Sequence, residues 1–268
     1  MSYLRLQYMV LAVFLISTSI VTNHYWIVPP NLFVIAVNLF IIRNYLPRWP
    51  AKASHRDKDI VSLNAHEDNN QLNKLKSFIK EANPELMLIM EMTDEIEASL
   101  KEVLKRYPYN LTTPVRDGFR ISLYSKAEFS ETKITNYGEN NTPLLQAKTS
   151  IKGVKYIILS AHPKPPLKQK WFEERQNYFN EIKSLINEND LPIIMLGDFN
   201  SAPWESHFRD FTQSTGLKST LERAGYKVTC PPMMMSCSAL SHLYLKLQTK
   251  MMQFALPTII VMVWAAAL

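Results

Sequence analysis

The stretch IIMLGDFNSAPWE, Ile193 to Glu205, runs from four apolar residues through a glycine into an acid, an amide and a proline. A buried strand that ends on Asp198 and Asn200 forms either an ordinary turn or one wall of a site. Other apolar runs bear on the choice. DIVSLNA (Asp59 to Ala65) ends near Asn64, ELMLIME (Glu85 to Glu91) ends on Glu91, and KYIILSAHP (Lys155 to Pro163) ends near His162. Each polar residue follows a hydrophobic run and precedes a loop or helix. Strands lying side by side would bring those ends to one edge, so residues remote in sequence would share one cleft.

Between these runs the periodicity becomes helical. Leu72, Leu75, Phe78 and Ile79 are spaced for one face of a helix that stops at Pro84. Ile96, Leu100, Val103 and Leu104 mark a second helix, and WFEERQNYFNEIKSLINEN (Trp171 to Asn189) a third. FRISLYS (Phe119 to Ser125) reads as a further strand. This alternation predicts a layered α/β domain.

The chemical types at the strand ends form a coherent set. Glu91 and Asn64 offer oxygen donors suited to a hard divalent cation that keeps some of its waters. No thiolate belongs to the set, which makes zinc less natural. Asp198 is placed to hold or deprotonate a water, Asn200 to orient it or donate to a phosphoryl oxygen, and His162 to offset charge growing on a phosphate. Such a kit suits hydrolysis of phosphate esters. Each residue also has a plainer reading: Glu91 as a helix-start acid, Asn64 as a turn residue, His162 as a loop histidine, and Asp198 with Asn200 as a turn before Pro203. Their joint occurrence favours a site.

GDFN-x-x-P at Gly197 to Pro203, with the Glu91, Asn64 and His162 segments in this order, resembles the endonuclease/exonuclease/phosphatase superfamily. NPELMLIMEMT and RDGFRISLYSK are similar to further family segments, and Arg175 stands where the family commonly has a basic residue. The resemblance runs from about Ile60 to about Thr229. It implies a four-layer α/β sandwich of the DNase I-like kind, with Mg2+ (or Mn2+) held by Glu91 with help from Asn64. It also implies catalytic roles for Asp198, Asn200 and His162. The substrate would be a phosphodiester or phosphomonoester, with nucleic acid entering only as substrate. Lys164, Lys168 and Lys170 read as an anionic entrance or a solvated basic loop, and Tyr107 with Tyr109 as a phosphate-side pair or simple packing.

The first fifty residues are of another kind. No Asp, Glu, Lys or Arg occurs from Leu6 through Trp26, and Ile27 to Ile42 is also uncharged. A bilayer span takes about 20 mostly apolar residues. The first run with its flanks reaches that length, while Pro29, Pro30, Asn31 and Asn38 weaken the second. We read residues 1–46 as a transmembrane hairpin rather than a cleaved signal, 47–59 as a linker and 60–229 as the main domain. An apolar hairpin ahead of such a domain is similar to membrane-anchored bacterial members, which implies the bacterial inner membrane. Arg43, Arg48, Lys52, Arg56 and Lys58 after the second run favour a cytoplasmic main domain if both runs span, and the opposite side if one does.

With 30 Lys plus Arg against 24 acids the charge is +6, mild enough to fit anionic substrates or lipid headgroups without selecting either. A dedicated nucleic-acid binder would need a concentrated basic face with exposed aromatics, which the sequence does not display. Cys230 and Cys237 make neither a zinc site nor a disulfide framework.

The resemblance stops at the end. The family closes with an aspartate–histidine pair and a terminal Ser-Asp-His. Here no Asp or Glu follows Glu222, and Ser241-His242 is the only echo. Residues 230–268 therefore read as an atypical tail, either a reading-frame product, a C-terminal membrane segment or the divergence of a pseudoenzyme, and the closing strands are expected to be missing. The reading is a membrane-anchored, Mg2+-dependent phosphoesterase with compromised turnover. The alternative is a non-catalytic membrane protein that retains the fold.

Overall fold

The computed structural model describes residues 5–45, 59–66, 69, 71–115, 120–219, 244–246 and 263–265. Strand β1 (Ile60–Asn64) is followed by α3 (Leu72–Ala82), β2 (Leu86–Met92), α4 (Asp94–Leu104), β3 (Tyr109–Thr112) and β4 (Arg120–Ser125). Then come β5 (Glu131–Tyr137), β6 (Thr142–Ile151), β7 (Val154–Ala161), α5 (Gln169–Asn187), β8 (Ile193–Gly197), α6 (Ser206–Thr215) and β9 (Lys218–Ser219). The strands form two sheets, ordered β11-β1-β2-β4-β3 and β5-β6-β7-β8-β10-β9, where β10 is Tyr244–Lys246 and β11 is Val263–Ala265.

Period-two alternation along each strand builds the layers. Leu86, Leu88 and Met90 of β2 point between the sheets and meet Ile158 of β7 with Ile194 and Leu196 of β8. Met87 and Ile89, the intervening residues, pack on Leu75, Ile79, Ile96 and Leu100 of α3 and α4. On the far side Ile157, Leu159, Ile193 and Met195 pack on Phe179, Ile182 and Ile186 of α5 and on Phe208 and Phe211 of α6. The order helix, sheet, sheet, helix is the four-layer α/β sandwich the sequence led us to expect.

Two short strands lie within the tail, where the sequence led us to expect the closing strands to be missing. β10 pairs antiparallel with β8 and β9, and β11 pairs parallel with β1, each over three residues at most. The rest of the 230–268 tail lies outside the described residues, as does most of the 47–59 linker.

Ahead of the domain, α1 (Arg5–Val21) and α2 (Val28–Ile42) form an antiparallel hairpin in which Arg5 Nη1 donates to Asn38 Oδ1 at 3.0 Å. The relative lengths differ from the sequence reading. The apolar helical run Tyr25–Tyr45 spans 21 residues, long enough to cross a membrane, whereas α1 has 17. Pro29 and Pro30 do not interrupt α2 because they fall in its first turn, where backbone N–H groups have no helical partner to lose.

At the mouth of the two sheets, β7 and β8 run parallel with Ala161 opposite Gly197. A Cβ on Gly197 would run into the backbone carbonyl of Ala161. Gly197→Ala is therefore expected to destabilise the protein by about 1–3 kcal/mol, as overpacking does, read as a lower urea midpoint. The strand ends carrying His162 and Asp198 would be pushed apart.

Candidate active site

Glu91 owes its position to a defect in β2. The register with β4 shifts between Ile89 and Met92, which face Ser122 and Arg120, so β2 carries one residue more than its partner there. The burial pattern shows the same break, since Ile89 and Met92, three apart, both join the helix-side core. Glu91 adopts φ +54°, a left-handed conformation that is unfavourable for a side chain of its size and persists only where the surroundings impose it. A bulge of this kind turns a side chain out of the alternation, and here it frees Glu91 from the helix layer.

Asn64, at the end of the neighbouring β1, donates Nδ2–H to Glu91 Oε1 at 2.7 Å, and its Oδ1 accepts the His66 N–H at 2.9 Å. His162 Nε2 approaches the same Glu91 Oε1 to 3.6 Å, from the end of β7 on the other sheet. Asp198 arrives from β8, its N–H donating to Met90 Sδ at 3.1 Å, one residue before Glu91. The Asp198 carboxyl is buried and accepts the Asn200 N–H at 3.0 Å. All five residues singled out in the sequence come to one place, at the shared edge of the sheets.

Burial pushes the Asp198 carboxyl above its ordinary range, and the nearby charge of Glu91 adds to this. His162, the Asn200 N–H and the Asn64 amide act in the opposite sense without cancelling it. Asn200, at φ +48°, donates Nδ2–H to the Pro163 carbonyl at 2.8 Å, tying the loop after β8 to the loop after β7.

A second tier holds that loop in place. Arg175 on α5 is buried and donates to the Asn200 carbonyl, to Ser201 Oγ at 2.7 Å and to Glu205 Oε1 at 2.6 Å. Glu205 and Ser201 were not legible beforehand. Their only signal was their place in the segment after Asn200, opposite a basic residue on the preceding helix. Of the residues with two readings, Lys164 and Lys168 lie over the Trp171 ring, at 5.9 Å and 4.9 Å, and Lys170 pairs with Glu139. Tyr107 packs edge-on against Tyr124 in the helix-side core, where burial pushes its hydroxyl up to about 12.

Among the described residues no group of three or more His, Cys, Asp or Glu could by itself hold a metal ion. Among the described residues a closed, all-protein zinc cage therefore does not fit. A small hard cation that retains several waters and takes one or two carboxylates does. Glu91, with the Asp198 carboxyl near it, matches that requirement.

The chain matches the Endonuclease/Exonuclease/phosphatase family over residues 61–246. No curated protein sequence matches it. Among solved structures, TDP2 of D. rerio complexed with single-strand DNA product is similar with a TM-score of 0.59 and 18% identity, over 71% of this chain and 84% of that one. The mannosyl-6-phosphatase of Bacteroides thetaiotaomicron VPI-5482 is similar with a TM-score of 0.54 and 15% identity, over 69% of this chain and 84% of that one. TDP2 of Caenorhabditis elegans, in truncated form, gives 0.53 and 17%, over 69% and 82%. At these identities the likeness establishes the fold.

Proposed function

Because the chain belongs to the Endonuclease/Exonuclease/phosphatase family, a family of phosphoesterases and nucleases, we propose that it is a membrane-anchored, Mg2+-dependent phosphoesterase. The observation that carries this reading is the convergence of Glu91 and Asp198, from different sheets, beside Asn64 and His162. Glu91 would hold the ion, with Asn64 fixing the carboxylate in place. When bound, Mg2+ polarises the phosphate and stabilises the leaving oxygen. Asp198 positions a water and takes its proton, a task helped by a carboxyl more basic than usual. Asn200, fixed by Pro163 and Arg175, orients the attacked group. His162 donates to a phosphoryl oxygen as charge grows there. The apolar Tyr25–Tyr45 run, with Phe33 and Phe40 exposed along it, supports anchoring in a bilayer, by our reading the bacterial inner membrane.

Turnover is expected to be low, because residues 223–268 carry no Asp or Glu to complete the family's last two motifs. That same observation favours the second reading, a non-catalytic membrane protein that keeps the fold. Full-length protein in detergent, assayed on bis(p-nitrophenyl) phosphate and p-nitrophenyl phosphate with Mg2+ and then with EDTA, separates the two. Turnover that EDTA removes supports the enzyme. A folded sample with no turnover above blank on either ester supports the non-catalytic protein.

A further inference from the structure

The hairpin does not stand clear of the domain. Its inner end, Ile41, Ile42 and Tyr45 with Leu6 and Met9, packs on Ala202 and Trp204, two and four residues beyond Asn200. Ile42, Ala202 and Trp204 are all but sealed from solvent, each 2% exposed. Tyr45 meets the Trp204 ring edge-on with centroids 6.0 Å apart, and its hydroxyl donates to the Pro203 carbonyl at 3.2 Å.

The segment from Asp198 to Glu205 is thus gripped from two sides. Arg175 holds Asn200, Ser201 and Glu205 from α5, and the hairpin holds Ala202, Pro203 and Trp204. Asn200, whose carbonyl Arg175 holds, sits at φ +48° two residues ahead of the hairpin's grip on Ala202. An anchor serving merely as a tether would need no contact with the loop that follows Asp198. We infer that Tyr45 and Trp204 are positioning residues: the membrane hairpin is a structural part of the site and sets the backbone that presents Asp198 and Asn200. This rests on reading that pair as the reacting groups, whereas the contact itself is independent of any turnover.

Hydrogen–deuterium exchange on the full-length protein in detergent tests it without requiring activity. The reporters are the amides of Asn200, bonded to Asp198 Oδ1, and of Glu205, bonded to the Ala202 carbonyl. Tyr45→Ala should speed their exchange by about tenfold, the equivalent of losing one hydrogen bond and its ring contact, while the β7 amides remain protected. Tyr45→Phe should fall between, and Trp204→Phe should restore most of what Trp204→Ala loses. Trp26→Ala, at the exposed far end of the hairpin, should leave both reporters unchanged. Where turnover is measurable, Tyr45→Ala should lower kcat with little change in KM. Unchanged loop exchange in Tyr45→Ala would overturn the inference, as would loosening shared equally by β7 and β8. A wild type with no Mg2+-dependent turnover would instead remove the phosphoesterase reading, with the exchange result still deciding the grip.

Discussion

Asp198→Asn is expected to lower phosphoester turnover by about 10²–10⁴-fold, the usual contribution of a positioned general base, while making the metal-free protein more stable. Both effects come from burial. The native fold raises this carboxyl above its ordinary range, so the folded state binds the proton more tightly than the unfolded chain does. The stability tied to that proton is fully present below the unfolded pKa and is lost as pH rises through the folded one. Asparagine keeps an oxygen for the Asn200 N–H and carries no charge. With EDTA at neutral pH the variant should melt about 2–4 °C higher, the shift expected for roughly 1 kcal/mol in a protein of this size, and the gap should close in acid. Saturating Mg2+ should reverse the order, since ligand at a hundred times its Kd adds about 2.7 kcal/mol to the form that binds it. A thermal scan with and without the ion reads all of this.

Arg175→Met should cost about 3–5 kcal/mol, because it leaves the Glu205 carboxylate buried without its partner. Side-chain exposures of 2% and 4% rule out solvent as a substitute. The site should suffer as well, since the Asn200 carbonyl and Ser201 lose their donor. Urea denaturation gives the stability change. The double variant Arg175→Met/Glu205→Leu should recover most of it, as replacing both members of a buried pair usually does. Recovery of stability without recovery of turnover would assign the guanidinium to positioning the loop rather than to folding alone.

Much of this site was legible because its chemistry sits where apolar runs stop. Asn64, Glu91, His162 and Asp198 each end a strand, and parallel strands place such ends together. What escaped was of two kinds. Backbone geometry has no signature in composition: nothing in LMLIMEMT announces that Glu91 turns left-handed in a bulge. Contacts across long separations are equally silent, as with Tyr45 and Pro203, which lie 158 residues apart. The β5–β6 hairpin was passed over for a third reason. ETKITNY is an edge strand with no fully buried position, so its alternation is mostly polar and resembles a loop. β6 does alternate, with Leu145, Ala147 and Ile151 facing the core, and Lys152-Gly153, both at positive φ, form its turn into β7. Only the glycine of that turn is suggestive in sequence.

In the proposed site two carboxylates from different sheets serve one cation, Glu91 as its ligand and Asp198 through the water beside it. Titration of the full-length protein with Mn2+ as the stand-in ion, followed by electron paramagnetic resonance, measures this directly. We expect one tight site in the wild type, weakened in both Glu91→Gln and Asp198→Asn by at least the roughly 10–100-fold that loss of a mere supporting group causes, with far-ultraviolet circular dichroism unchanged. Binding of equal strength in the wild type and either folded variant would contradict it.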